Sequence, residues 1–596
     1  MKPITLRCSM LPKWQRHLRA AICESRSQKA GLRSGQVSGS YSQRRRFATP
    51  VDIKVADIDS NDPREKVVIL GSGWAGYVLG RQLDKRKYRV VIVSPRSYFV
   101  FTPLLNDTTV GTLEFRNVLE SVRKKKSSLE YIQGWADDVN FADRTVTIEP
   151  SVLDPDVGHA LTGPRKPNEQ QTARGYAKKG VFPHGPWEKQ VQMGGTGSDQ
   201  VPTFPIHYDK LIIAVGTYSQ TFGTKGVREN AWFLKDVRDA VAIRRRILEL
   251  FELARLPIIP EDTKKHLLHF AVVGGGPTGM EFAACLSDLL RDDLSKIHPE
   301  LMKFVRISLY DVAPKVLPMF DASLADYAVK QYRRQNIEIK TSHNVEELRK
   351  GFPNDEQARQ DQDSQVKGRV YTIRTKEEGD VGIGMCVWST GNMNNPFVMK
   401  ALDHVRRFPT ESAQITQGKV TDPMQRQWII QRDAKTGVIL VDDHFRVHLT
   451  TECAEGMKED EKPKAYMQDV FALGDTSKLM SGALPATAQV ANQQALWLGK
   501  TLNKYPSPEE FRKQQGFTFR NMGVLTYLGG AKAILQGGNG NGDGKGGGAA
   551  KGIKGLAAYL IWRGAYLTMT LSWRNKFLVV VQWVAVKVFG RDVSRF

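Results

Sequence analysis

Val67-Val68-Ile69-Leu70-Gly71-Ser72-Gly73-Trp74-Ala75-Gly76 is the stretch that decides the fold of this chain. Four apolar residues, three of them β-branched, read as a buried strand, and the glycines after them permit a tight turn into a helix. In a G-x-G-x-x-G turn, glycine lets the backbone close on itself and lets a pyrophosphate come near. The helix N-terminus then offers free N–H groups to that anion. Val90-Val91-Ile92-Val93 supplies the next strand. The same grammar returns 203 positions later: Phe270-Ala271-Val272-Val273 runs into Gly274-Gly275-Gly276-Pro277-Thr278-Gly279. A helix is expected over 280–303, and Val305-Arg306-Ile307-Ser308-Leu309-Tyr310 closes on Asp311. A third strand, Val470-Phe471-Ala472-Leu473, delivers Gly474-Asp475. One such hexapeptide is a common turn. Two of them, each between an apolar strand and a helix, point to an α/β chain with two Rossmann-type dinucleotide-binding domains.

The two copies differ where specificity is read. Asp311 ends the strand after the second turn, where a carboxylate hydrogen-bonds a ribose 2′-OH and repels a 2′-phosphate, so NADH is expected over NADPH. The first copy ends its strand on Ser94-Pro95-Arg96, with no acid at Ser94. Two dinucleotide sites and a late Gly-Asp strand imply an electron path from a nicotinamide to a flavin.

Length and composition bound the rest. At roughly 100–200 residues per domain, 596 residues make three or four domain-sized units. Hydrophobic residues at 41% and charged residues at 25% exclude wholesale disorder. No run of 18 uninterrupted apolar residues occurs, which excludes a polytopic pump or channel. The net charge of +23 is concentrated at the ends. Residues 1–50 carry eleven Lys or Arg, seven Ser and the single acid Glu24, the composition of a mitochondrial transit peptide. Residues 549–596 carry eight Lys or Arg against Asp592 alone. The +6 left over 51–548 is no basic platform, so a nucleic-acid-binding flavoprotein like an apoptosis-inducing factor is disfavoured, and no nucleic-acid partner is expected. The five cysteines, Cys8, Cys23, Cys285, Cys386 and Cys453, form no C-x-x-C pair. A zinc ribbon, a dithiol redox centre and a disulfide reductase are thereby unsupported, and no metal site is expected. Sulfide:quinone chemistry would need Cys285, Cys386 and Cys453 to meet in space. Neither 352–366 nor 431–445 has EF-hand spacing, so calcium control is not expected.

Residues 151–205 and 352–366 read as surface insertions, and 537–548, with eight glycines in twelve positions, reads as linker. Beyond it, Leu556–Trp573 and Phe577–Val586 are apolar runs too short or interrupted to span a bilayer core of ~30 Å. Tyr559, Trp562, Tyr566 and Trp573, with Arg563 and Arg574, suggest helices lying in the membrane interface plane. A docking helix or homodimer face is the plainer reading of the same runs.

Taken together, Gly71-Ser72-Gly73-Trp74, Ser94-Pro95-Arg96-Ser97-Tyr98-Phe99, Phe101-Thr102-Pro103-Leu104-Leu105, Gly274–Gly279, Gly474-Asp475 and Ala488-Gln489-Val490-Ala491-Asn492-Gln493 resemble the type II NADH dehydrogenases. These are the single-subunit, non-pumping NADH:ubiquinone oxidoreductases of fungal mitochondria, plants and bacteria. The resemblance implies FAD, held non-covalently, at Gly71, Ser72, Gly73, Trp74, Ala75 and Gly76, with Ser94, Pro95 and Arg96 near its adenosine half. It implies Thr102, Pro103 and Leu104 by the isoalloxazine, Asp475 on the ribityl chain, and Ala136, Gly216, Ala488 and Gln489 around the same cofactor. NADH would lie on Gly274, Gly275, Gly276, Pro277, Thr278, Gly279, Asp311, Thr390 and Gly391. Glu281 would stand beside the nicotinamide and flavin rings, and Gln489, Asn492 and Gln493 would border the quinone. Asn492 departs from the histidine of some fungal relatives, which removes a proton donor there.

The implied activity is oxidation of NADH through FAD with two electrons passed to ubiquinone, without proton pumping. The implied place is the inner mitochondrial membrane, peripherally and on the matrix side, anchored through 556–596 and paired as a homodimer. The expected domains are a leader at 1–50, an FAD domain in two parts at 62–240 and 401–520, an NADH domain at 241–400, and a membrane module at 521–596.

Overall fold

The computed structural model describes residues 62–124, 129–151, 203–353, 366, 368–402, 405–418, 422–451, 462–538 and 552–594. The leader at 1–50, most of both expected insertions, Cys453 and residues 539–548 of the glycine-rich linker lie outside them.

Two parallel sheets organise the chain. In the first, the strands run Lys464–Ala472, Lys210–Ile213, Glu65–Leu70, Tyr88–Ser94, Glu130–Asn140, all parallel neighbours. Antiparallel strands extend it at both edges. In the second the order is Trp232–Phe233, Met385–Trp388, His269–Val273, Arg306–Asp311, Ile337–Thr341, again parallel throughout. Strands buried on both faces need continuous apolar runs, and Val67, Val68, Ile69, Phe270 and Val272 are all fully buried. Each glycine turn sits at the C-terminal end of the central strand of its sheet, where a doubly wound fold opens its ligand crevice.

Several expected boundaries move. Trp232–Phe233 already pairs in the second sheet, and the helix Val237–Arg255 runs across residue 240, so the second domain starts before 241. The helix expected over 280–303 is regular only from Pro277 to Leu289. It widens into a π-helical turn at Leu290–Leu294, re-forms at Ser295–Ile297, and tightens to 3₁₀ geometry at Pro299–Phe304. Pro299 explains the end of it, since proline disfavours a helical residue before it. The insertion at 151–205 ends inside the strand Phe204–His207, which pairs with Thr145–Pro150. Phe352 and Val366 at the ends of the other insertion are core residues.

The C-terminal module is a three-stranded sheet, Val524–Tyr527, Ala533–Gln536 and Ile553–Gly555, followed by helices Leu556–Met569 and Trp573–Phe589. The first apolar run therefore breaks before Trp573, where the Ser572 hydroxyl caps the second helix by accepting from Asn575 N–H at 3.2 Å. Polar latches hold the module to the rest. Asn575 Nδ2 donates to Leu119 O at 2.8 Å and to Glu120 Oε1 at 3.1 Å. Arg591 reaches Asp293 Oδ2 at 2.6 Å, within the π-helical turn, and Thr112 Oγ1 at 3.0 Å. The aromatic residues divide against expectation. Trp562 is only 3% exposed and packs on Tyr527 and Tyr566, and Arg563 lies over the Tyr559 and Trp583 rings at 4.9 and 4.2 Å. The outward face is instead aliphatic with aromatic ends: Leu556, Leu560, Val584 and Val588, with Trp573 and Phe589 at 85% exposure and Phe577 at 68%. Among the described residues, no helix is long and apolar enough to cross a membrane.

Candidate active site

Each glycine turn is shaped by what presses on it and by what does not. Gly71 has φ +109°, and a Cβ there would lie 2.3 Å from Ala214 O. A Cβ at Gly76 would lie 2.1 Å from Gly71 O. Gly274, at φ +116°, and Gly279 are likewise closed in, with a Gly279 Cβ only 2.2 Å from Gly274 O and 2.4 Å from Ser389 Oγ. The middle glycines differ. At Gly73 and Gly276 a Cβ would meet nothing within 4 Å. These two residues are also the N-caps of the helices Trp74–Gln82 and Pro277–Leu289, and neither helix has a side-chain cap. Two helix N-termini with free N–H groups thus face open space at the C-terminal ends of parallel strands. That cradle fits a dinucleotide pyrophosphate and needs no side chain at its middle glycine.

The missing acid of the first copy has a structural counterpart. In the second copy, Asp311 accepts from the N–H groups of Gly275, which it touches closely, and of Ala313, at 2.7 Å. In the first, the Ser72 and Ser94 hydroxyls stand 2.9 Å apart, Ser72 also donates towards the Arg96 and Tyr98 carbonyls, and Arg96 N–H reaches Ser94 Oγ at 3.3 Å. A neutral hydroxyl pair thus joins the two strand ends that a glycine and a carboxylate join in the second. Arg96 Nε pairs with Asp236 at 2.6 Å, and Asp236 begins the capping box of the helix Val237–Arg255.

Around the first cradle, Trp74 Nε1 donates to Thr102 Oγ1 at 3.0 Å, bringing together two expected flavin residues from different elements. Pro103 and Leu104 complete that 3₁₀ turn, and Ala136 lies on the strand Glu130–Asn140. Thr217 Oγ1 donates to Asp475 Oδ2 at 3.4 Å, just after Gly216 at φ +69°. Burial pushes the Asp475 carboxyl up, opposed by the Lys235 ammonium. Burial in turn pushes Lys235 down, and its Nζ donates to Asn392 Oδ1 at 2.6 Å. Lys235 was not foreseen from the sequence. Nor was Gln494, which is buried and accepts from Gly474 N–H at 2.8 Å through Oε1. The helix Ala488–Lys504 buries Ala491, Gln494, Ala495 and Leu498, a helical period that would have picked out Gln494.

The expected quinone residues behave differently. Gln489 accepts from Met522 N–H and donates to Gly523 O, at 3.4 and 3.5 Å. Gln493 donates to Arg520 O at 2.9 Å and accepts its N–H at 3.1 Å. Both amides therefore hold the chain that leads into the C-terminal module, with half-buried Asn492 between them. Thr390 and Gly391 follow the strand Met385–Trp388, and Ser389, also missed, donates its hydroxyl to Val273 O at 3.0 Å beside the second cradle.

Glu281 is 6% exposed, and two donors hold it: Asn106 Nδ2 at 3.1 Å and Tyr527 N–H at 3.0 Å. Burial raises its carboxyl to about 7 despite both donors. Two further carboxylates stand close by. Asp107 is raised by burial, with the Arg563 charge opposing, and Trp583 Nε1 donates to it at 3.4 Å. Asp288 accepts from Tyr527 OH at 2.5 Å and Gly530 N–H at 2.9 Å. The module thus closes over a group of buried acids at the seam with the NADH-type domain. Asp288 was readable as two turns beyond Glu281 on one helix face; Asn106 and Tyr527 were not. Cys285 and Cys386 are free, buried thiols pushed up by burial, on different elements.

A carboxyl whose folded value is raised binds its proton more tightly in the folded state. Its contribution to stability is therefore present below pH 4.5 and is lost as pH rises through about 7. A shift from 4.5 to about 7 corresponds to on the order of 3 kcal/mol. Urea unfolding should show the wild type losing about that much relative to Glu281→Gln between pH 5 and pH 8. Rotation of the Asn106 amide, whose Oδ1 has no partner, accommodates the substitution. Parallel pH profiles for the two proteins would contradict this reading of the site.

Residues 65–407 match the model of the pyridine nucleotide-disulphide oxidoreductases, and residues 522–592 match that of the NDH2 C-terminal domain. A Dictyostelium discoideum protein named probable NADH dehydrogenase is 31% identical over 89% of this chain and 91% of its own length. The Arabidopsis thaliana internal alternative NAD(P)H-ubiquinone oxidoreductase A1 is 31% identical over 89% of this chain and 86% of its own. The Yarrowia lipolytica external alternative NADH-ubiquinone oxidoreductase is 29% identical over 90% and 81%. The structure of NDH2 from Plasmodium falciparum in complex with NADH shares the fold, with a TM-score of 0.64 at 22% identity, covering 89% of this chain and all of that one. With two-domain dinucleotide architecture, the NDH2 terminal module and this identity over most of its length, the chain belongs to the pyridine nucleotide-disulphide oxidoreductases, in the branch of the type II, alternative NADH-ubiquinone oxidoreductases.

Proposed function

We propose that this chain oxidises NADH through FAD and passes two electrons to ubiquinone at a membrane surface, without moving protons across it. The observation that carries the reading is the pair of uncapped helix N-termini opening on space at Gly73 and Gly276. FAD supplies hydride acceptance and two-electron release. The protein's part is to bind, orient and manage protons. The first cradle holds the FAD pyrophosphate, with the Asp475 carboxyl at the flavin side and the Lys235 ammonium acting on it through space. The second holds NADH, with Asp311 on the adenosine ribose. Glu281, near half-protonated at neutral pH, gives or takes a proton at Oε2, next to the Asn106 amide. Gln489 and Gln493 fix the wall formed by residues 520–523, on the quinone side.

Anaerobic stopped-flow at the flavin absorbance tests the electron path. NADH should bleach the flavin fast and NADPH slowly, and a short-chain ubiquinone should restore the absorbance. Bleaching without recovery on quinone would contradict the acceptor, and no bleaching would sink the activity.

The outward apolar face of the last two helices supports peripheral docking to lipid, and the exposed Lys554, Arg574 and Lys587 suit an anionic leaflet. The composition of 1–50, with the mitochondrial names of the plant and fungal relatives, supports the inner mitochondrial membrane. The matrix side is our assignment, read by protease protection in mitoplasts. A second copy pairing through the same module is also proposed, read by sedimentation in detergent. Burying one large apolar side chain is worth about 1.5–3 kcal/mol. The double variant Trp573→Ser, Phe577→Ser should therefore float with anionic liposomes at least tenfold more weakly. Unchanged flotation would remove this surface as the anchor.

A further inference from the structure

Phe222 is an aromatic residue in a backbone conformation and a place that folding alone does not explain. Its φ is +54°, in the left-handed region that bulky side chains rarely occupy. Gly223, next to it, has φ +75°, and Thr224 N–H donates to Thr221 O at 2.9 Å. Two central residues at positive φ make a turn of the kind that prefers Asn-Gly. The strained residue does not earn its place by burial, because Phe222 is 65% exposed. Strain of this kind persists where a ligand site uses it.

The turn is fixed to one flank of the second cradle. Trp388 Nε1 donates to Gln220 O at 2.9 Å, Gln220 N–H donates to Gly391 O at 3.3 Å, and Phe222 N–H donates to Gln220 Oε1 at 3.3 Å. The ring itself covers Gly391, where a Cβ would come within 2.6 Å of Phe222 Cζ. Strand order tells which half of a dinucleotide lies there. Met385–Trp388 and Arg306–Asp311 flank the central strand His269–Val273 on opposite sides. With the adenosine ribose at Asp311 and the pyrophosphate at Gly276, the nicotinamide half must run towards Ser389-Thr390-Gly391.

We infer that Phe222 is a positioning residue for NADH, its exposed ring packing against the nicotinamide–ribose half and holding that half over the flavin side of the cleft. The strained turn presents the ring to the ligand. The inference rests on the assignment of NADH to the second cradle.

Phe222→Asn is the informative variant, because it suits the turn and removes only the ring. NAD⁺ binding to the FAD-loaded protein is measured by calorimetry, alongside thermal unfolding and flavin content. The expected result is an unchanged or raised melting temperature, full flavin, and NAD⁺ affinity weakened roughly three- to tenfold, as for loss of one aromatic contact. Phe222→Tyr should keep wild-type affinity. Wild-type affinity in Phe222→Asn, or weakened binding with a lowered melting temperature and lost flavin, would overturn the role. Absence of NAD⁺ binding by the wild type itself would overturn the cradle assignment, and this inference with it.

Discussion

A helix N-terminus that no side chain caps must find its acceptor elsewhere. Two such ends, at Gly73 and Gly276, lie at the C-terminal ends of parallel strands, and much of the surrounding structure serves to keep them open. The first glycine of each turn is pressed against a neighbouring strand end, Gly71 on Ala214 and Gly274 on Ser389. Those strand ends lead into Thr217–Ser219 and Asn392–Asn394, which pair antiparallel. The segments behind the two cradles therefore continue into the two strands of one ribbon. Side chains of this ribbon reach outward, Thr217 to Asp475 and Asn392 to Lys235, and so link the surroundings of the two cradles.

The carboxyl of Glu281 is carried by the helix that starts at Gly276. That helix begins at the second cradle, carries Glu281 in its second turn, and runs on through Asp288 to the π-helical turn that binds Arg591. Tyr527 and Trp562 cover its acids and Trp583 binds the neighbouring Asp107, so the module that presents an apolar face outward also sets the dielectric around Glu281. The outward apolar face and the raised carboxyl of Glu281 are in this way properties of one small domain.

The sequence was most readable where a local rule dictates structure. Val67–Leu70 and Phe270–Val273 are the central strands, and both glycine turns stand where they were expected. What escaped was set by partners distant in the chain. Glu281 is raised by burial beneath a module whose Tyr527, one of its two donors, lies 246 residues on. Ser94 made sense only once Ser72 was seen 2.9 Å away, filling the place of a carboxylate with a hydroxyl. Trp562 was expected at the lipid interface because helical spacing alone does not say which face packs inward. Phe222 carries no turn signal at all, since its residue type argues against the conformation it adopts.

Filling each cradle with a single methyl group is the most direct test of the account. A Cβ at residue 73 or 276 touches no protein atom within 4 Å, so Gly73→Ala and Gly276→Ala should fold as the wild type does. Flavin content and NAD⁺ binding of the two purified variants are then compared. The account predicts that Gly73→Ala loses FAD, while Gly276→Ala keeps full FAD and loses NAD⁺ binding. Full flavin with normal nucleotide binding in both, or flavin loss from Gly276→Ala alone, would contradict it.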